Sequence, residues 1–200
     1  MQVILSTRNP SKAEQIKAVF AGSSISILTL DQVGIAGEGI EDGDTLEANA
    51  LKKALFAHQA KPGFWTMADD TGIFIAALDG KPGVQTAYWP NWRNTDKKIT
   101  EVTDWILGQL ENAKNRSATF RTVVAIVSPQ GKQYYFTGEV HGEILQKVKG
   151  KPELQMPYGT IFLPDGAYKV FGEMNLSEKN TFSHRGKAFR QARAYLESQA

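Results

Sequence analysis

Apolar positions along the chain switch between short continuous runs and helical spacing. Val3-Ile4-Leu5 marks Gln2–Ser6 as a strand, and Pro10–Phe20 follows as a helix with Ile16, Val19 and Phe20 on one face. Ile25–Leu30 reads as a second strand. A Gly-rich acidic loop, Gly34–Asp44, leads into a helix near Thr45–Gln59. Trp65–Ala68 and Ile73–Leu78 read as two strands flanking an Asp-Asp-Thr-Gly turn. Asp96–Asn112 is expected to be helical, with Ile99, Val102, Ile106 and Leu110 at helical spacing. Ser117–Ser128 and Lys132–Glu143 are β-rich and joined by Pro129-Gln130-Gly131, a hairpin signal. After an irregular stretch through Lys147–Tyr158, a last helix is expected near Ser183–Ser198. Interleaved strands and helices without a repeat or linker predict one α/β domain.

Composition narrows this picture. The 200 residues are 42% apolar and 10% aromatic, enough for a full core in one domain, folded as two lobes. There is no cysteine, which excludes disulfides, thiolate metal sites and a cysteine nucleophile, and suits a reducing cytoplasm. No basic leader or long apolar run is present, so neither a signal peptide nor a membrane span is expected. The net charge of +2 comes from scattered basic residues, which disfavours a nucleic-acid role but leaves a small anionic ligand open.

Charge breaks the local rules in four places. Asn9 is a good N-cap and Pro10 suits the first helical position, so Lys12 falls in the first turn. A cation there opposes the helix dipole by about 0.3–1 kcal/mol, and a bound anion would reverse the sign. Glu41-Asp42-Gly43-Asp44 precedes the second helix; Asp44 and Glu47 have capping-box spacing, while Asn49 and Lys53 share one face. Asp69-Asp70-Thr71-Gly72 sets two adjacent acids between apolar runs, where cations or magnesium would relieve their repulsion. Ser183 caps the last helix, yet His184 and Arg185 occupy its first turn, with Lys179 upstream. Exposed loops, ordinary capping or a plain turn would account for each alone; together they point to a metal-phosphate site.

Taken in order, these segments resemble the inosine triphosphate pyrophosphatase family, house-cleaning hydrolases of non-canonical purine nucleoside triphosphates. Thr7, Asn9 and Lys12 match its N-terminal phosphate loop. Glu41, Gly43, Thr45, Asn49, Ala50, Lys53 and Ala54 match its second motif. Ala68 to Gly72, then Leu78 and Pro82-Gly83, match its third, and Lys179, Ser183-His184-Arg185 and Ala188 its C-terminal signature. The resemblance covers nearly the whole chain. It implies a single domain over residues 1–200 with a central mixed β-sheet flanked by helices, acting as a homodimer on a nucleoside triphosphate. By resemblance, Glu41 and Asp70 bind Mg2+ and Asp70 activates water for attack at the α-phosphorus. Lys12 and Lys53 neutralise the triphosphate; Thr7, Arg8, Asn9, Asn49, Thr71 and Gly72 lie along phosphate and sugar; Lys179, Ser183, His184 and Arg185 face the base.

The chain departs from the family where the base is read. The usual Gly-Phe-Gly-Tyr-Asp-Pro is here Gln155-Met156-Pro157-Tyr158-Gly159-Thr160, keeping only Tyr158, and Phe162 follows as in the family. Met156 stands for the stacking aromatic and Gly159 for an aspartate, while Arg8 replaces a glycine in the phosphate loop. The resemblance therefore implies retained pyrophosphohydrolase chemistry with a shifted or relaxed base preference on substrates such as ITP, dITP and XTP. A non-catalytic nucleotide-binding paralogue is one alternative. An aspartic protease is another, since Asp70-Thr71-Gly72 is that class's short signature, but flanking Asp69 and Ile73 do not suit it.

Overall fold

The computed structural model describes residues 1–89, 98–153 and 156–199. Strands β1 (Gln2–Leu5), β2 (Ser26–Thr29) and β3 (Trp65–Ile75) alternate with helices α1 (Pro10–Phe20) and α2 (Leu46–Ala60). Then come β4 (Pro82–Gly83), α3 (Ile99–Gln109), β5 (Ser117–Val127) and β6 (Gln133–Ile144). The chain ends with β7 (Phe162–Pro164), α4 (Leu176–Phe182) and α5 (His184–Glu197). The sheet order is β2-β1-β3-β5-β6-β7, with β4 beside β3. β1 runs parallel to β2 and β3, and the later pairings are antiparallel. This is the α/β domain that the apolar pattern predicts, with the mixed, helix-flanked sheet that the family resemblance implies. Among the described residues no helix is long and apolar enough to cross a membrane.

Local signals explain most boundaries. Asn9 caps α1 by accepting from the Lys12 amide at 3.1 Å, with Pro10 at the first helical position. Helix α2 is capped by Thr45, whose hydroxyl accepts from the Ala48 amide, rather than by Asp44. α3 buries Val102 and Ile106, and Leu110 just past its end is buried too, as the spacing requires; Asp96, the expected start, lies outside the described residues. The β5–β6 hairpin turns at Gly131, which has φ 81° and so favours glycine.

β3 is the main correction. Asp69–Gly72 do not form a turn between two strands; they lie inside one strand of 11 residues, paired to Val124–Arg121 of β5. Side chains of a strand alternate between faces. Met67 packs with Ile16, Val19 and Phe189 of α1 and α5, whereas Ala68 packs with Leu46, Ala50 and Ala54 of α2. By the same alternation Asp69 faces the α1/α5 layer and Asp70 the α2 layer. The two acids adjacent in sequence are thus separated by the sheet. Local pattern could not show this, because the cations that make burial tolerable come from distant elements.

The lower half of the sheet carries its own apolar cluster, in which Ile73 and Ile75 pack with Val102, Ile106, Phe162 and Phe171. β3 and β5 are paired and run through both halves, and a cleft opens where the two halves meet. Helix α4, which the apolar pattern does not announce, borders this cleft and is held by a capping box between Asn175 and Glu178.

Candidate active site

The cleft has two arms that meet at Asn9, Lys12 and Glu41. One arm is polar, lined by Thr7, Lys12, Lys53, Glu41 and Tyr88. The other is walled by Phe120, Met156, Tyr158, Phe171 and His184, with Lys179 and Arg185 among them. Such a shape fits a ligand with an anionic end and a flat, largely apolar end.

On the α2 side, Lys53 lies 2.5 Å from Glu41 Oε1 and 3.2 Å from Asp70 Oδ1. Asn49 donates to Asp70 Oδ2 at 3.2 Å and accepts from the Gly43 amide at 2.7 Å, tying the acidic loop to the strand. Tyr88 donates to Glu41 Oε2 at 2.8 Å. Burial alone would raise Glu41, but Lys53 beside it dominates and holds its carboxyl at about 2. Burial also works against a charged Lys53, and the facing Asp70 and Glu41 outweigh it, so the ammonium is held above its ordinary range. Asp70 moves the other way: burial pushes it up, and Lys53 only partly offsets this. Two neighbouring carboxylates with affinities displaced in opposite directions are a common mark of a working site.

On the α1/α5 side, Asp69 Oδ2 lies 3.0 Å from Lys12 Nζ and 3.4 Å from Arg185 Nε. Thr71 donates to the same oxygen at 3.2 Å. Burial opposes ionisation of Asp69, yet Lys12 and Arg185 override it and hold the carboxyl far below its usual range. Lys12 is lowered, first by its burial and then by Lys53 and Arg185, with Asp69 opposing. Asp70 therefore has Lys53 and Asn49 as partners, not a second aspartate sharing a proton. That is unlike the carboxylate dyad of an aspartic protease.

In the second arm the His184 imidazole stacks on Phe120, with ring centres 4.4 Å apart and planes at 8°. Burial pushes His184 well below its ordinary value, so it is neutral near pH 7. Ser183 caps α5 through the Gly186 amide, and Gly138 of β6, lacking a side chain, lets the first turn of that helix approach the sheet. Lys179 pairs with Glu153 across this arm. Tyr158 is buried, and its hydroxyl has no hydrogen-bond partner among the described residues.

The sequence-predicted residues fall into three groups. Thr7, Asn9, Lys12, Glu41, Lys53, Asp70, Thr71, Met156, Tyr158, Lys179, Ser183, His184 and Arg185 line one arm or the other. Arg8 borders the polar arm, but its guanidinium binds Asp31 and the carbonyls of Gly37 and Ile35, which fastens the following loop. Asn49 and Gly72 act from behind the cleft. A Cβ on Gly72 would come within 2.7 Å of the Gly83 carbonyl, so this glycine serves the close β3–β4 approach. Gln155 lies outside the described residues. Gln15, Phe120, Tyr88 and Glu153 are cleft residues that sequence reasoning missed. Only Gln15 carried a signal, three residues after Lys12 on the same helix face.

The family model described as the Ham1 family matches residues 3–195. A protein of Flavobacterium johnsoniae named dITP/XTP pyrophosphatase is 38% identical over 192 residues, covering 96% of this chain and 95% of its own. One of the same name from Geobacter sulfurreducens is 36% identical, covering 94% and 92%. Among solved structures, a HAM1 protein from Coxiella burnetii superposes over 100% of both chains with a TM-score of 0.85 at 27% identity. The Ham1 protein of Staphylococcus aureus does so with a TM-score of 0.83 at 26% identity. With its sheet, its two-armed cleft and these matches along nearly its whole length, the chain belongs to the Ham1 family.

Proposed function

We propose that residues 1–200 form one nucleoside triphosphate pyrophosphatase domain, which hydrolyses its substrate to a monophosphate and pyrophosphate. The observation that carries this reading is the junction of the two arms. There Lys12, Lys53, Asp70 and Glu41 gather at the mouth of an arm walled by the stacked Phe120–His184 pair. The relatives' name, dITP/XTP pyrophosphatase, supports purine nucleotides with a 6-oxo group as substrates.

The donor set at Glu41 and Asp70 fits a magnesium ion. Both are carboxylates, Glu41 is held ionised, and among the described residues no group of three His, Cys, Asp or Glu forms a closed metal cage. Mg2+ characteristically takes one or two carboxylates and fills its remaining positions with water and phosphate oxygens. Bound there, it would neutralise phosphate charge and help orient the attacking water.

The chain's own residues would do the rest. Asp70, made more basic by burial, accepts a proton from the water as its oxygen attacks the α-phosphorus. The bond to the bridging oxygen breaks and pyrophosphate leaves with the electron pair. Lys12 and Lys53 stabilise the charge that develops on the phosphates. In the second arm, Lys179 and Arg185 can donate to a base carbonyl, and a neutral His184 widens the flat wall. Met156 and Gly159 leave that wall without an aromatic and a carboxylate at those positions, which supports a relaxed base preference. A homodimer and a cytoplasmic location complete the reading.

A panel of nucleoside triphosphates with magnesium, with products separated by chromatography, tests it. Monophosphate plus pyrophosphate is the expected outcome. Diphosphate plus phosphate would refute the cleavage site, and binding without turnover would favour a non-catalytic paralogue. Comparable rates with ATP and ITP would support relaxed selectivity, whereas a strict 6-oxo-purine preference would overturn it.

A further inference from the structure

Tyr88 is carried into the polar arm by the strand that also bears Asp70. Past Asp70, β3 pairs with Pro82-Gly83, and a single 3-10 turn, Val84–Ala87, follows. Thr86 fastens this turn to the strand: its hydroxyl accepts from the Ile73 amide at 2.8 Å and donates to the Gly83 carbonyl at 2.5 Å. The Tyr88 amide donates to the Gln85 carbonyl at 2.9 Å and ends the turn. From there the phenol donates to Glu41 Oε2 at 2.8 Å. The other oxygen, Oε1, faces Lys53, which also meets Asp70. Glu41 itself stands on the loop before α2, so its bond to Tyr88 ties that loop to the strand of Asp70.

We infer that Tyr88 is a positioning residue for the metal end of the site: acting through Glu41, it fixes one carboxylate relative to the other and so sets the affinity for a divalent cation. The inference rests on the magnesium site proposed above. Two physical features carry it. Lys53 and Tyr88 hold the two oxygens of Glu41, but only one of these donors is charged. The Lys53 ammonium is repelled by a cation between Glu41 and Asp70, whereas a neutral hydroxyl keeps its bond. An ionised carboxylate accepts on both oxygens, so Oε2 can stay with the phenol while the other is given to a metal. Hydrogen bonds of this kind to a ligating carboxylate contribute about 10–100-fold in metal affinity.

Tyr88→Phe removes the hydroxyl and keeps the ring. Binding of Mn2+ to the protein with α,β-methylene inosine triphosphate, followed by electron paramagnetic resonance, should weaken at least about fivefold. Binding of the same analogue in EDTA, measured by calorimetry, should stay within twofold of the parent, which also shows that the variant is folded. With ITP, the Mg2+ concentration giving half the maximal rate should rise at least fivefold, while kcat at saturating Mg2+ stays within threefold. A smaller loss of Mn2+ affinity overturns the inference. So does an analogue affinity that falls as far without metal as the Mn2+ affinity does, which would place the hydroxyl on the phosphates. If Mn2+ affinity falls as expected and no triphosphate is cleaved, Tyr88 keeps its role and the hydrolase reading fails. A parent that binds the analogue no more tightly with Mn2+ than without it overturns the metal site and the inference together.

Discussion

Lys53 Nζ stands 3.2 Å from Asp70 Oδ1, on the opposite side of the sheet from the Lys12–Asp69 pair. Asp70 is thereby held beside a cation while burial keeps it a better base than an exposed carboxylate. Asp70→Asn should lower pyrophosphate release by about 10²–10⁴-fold, the usual contribution of a positioned general base. The Asn49 contact and the packing of α2 should survive, so circular dichroism should match the parent. Retention of more than a tenth of the activity would remove Asp70 from the central role.

Asp69 is predicted to matter for stability. Replacing it with leucine leaves the half-buried Lys12 and the buried Arg185 facing each other without their shared carboxylate. Breaking a buried pair in this way costs about 3–5 kcal/mol, or roughly 6–20 °C in Tm for a domain of this size. A calorimetric midpoint within 2 °C of the parent would contradict it. The pH dependence follows from the same contacts. Asp69 holds its proton less tightly folded than unfolded, so its contribution is full well above the ordinary value of 3.8 and is lost as pH falls through that value toward the lower folded one. Asp69→Asn should accordingly flatten the acid limb of the stability curve.

His184 gives a second pH signature. Burial against Phe120 depresses its proton affinity when folded, whereas the unfolded chain protonates it near 6.5. The unfolded state binds more protons below that pH, so stability should fall from about pH 6.5 downward until the folded imidazole also titrates. His184→Gln should remove this slope in urea titrations at pH 5–7. An unchanged slope would show that the imidazole is not the group responsible.

Met156 tests the base arm. Placing an aromatic there, as Met156→Phe, should tighten purine nucleotides by about 0.5–1.5 kcal/mol through ring stacking. It should leave kcat on saturating ITP nearly unchanged. KM values for ITP and for a pyrimidine triphosphate would show the gain confined to the larger base; equal changes for both would argue that Met156 does not touch the base.

Much of the site was readable because its signals are local. Asn9-Pro10 set the start of α1 and placed Lys12, and the Thr45 region announced α2 to within a residue or two. Ser183 with His184 and Arg185 marked the beginning of α5. Failures came where distant groups decide. Asp69 and Asp70 looked like turn residues because nothing nearby in sequence could neutralise them. Lys12, Lys53 and Arg185 supply that charge from three different helices. Gln15 shows only its spacing from Lys12 in the sequence, since its partners lie 168 and 170 positions away. Arg8 looked like a phosphate cation, and its engagement with Asp31 and the loop carbonyls could be seen only once the loop was folded.

The continuous course of β3 has a consequence for how this chain can change over evolutionary time. Each acid meets its own set of helices only because an odd and an even position of one strand look out of opposite sides. Loss or gain of one residue between Trp65 and Asp69 would leave the apolar character of the strand almost intact, yet would exchange the two carboxylates. Asp70 would then be turned toward Lys12 and Arg185, and Asp69 toward Lys53. Substitutions in this strand can therefore be explored one at a time, while changes in its length are closed to the lineage unless they come in pairs.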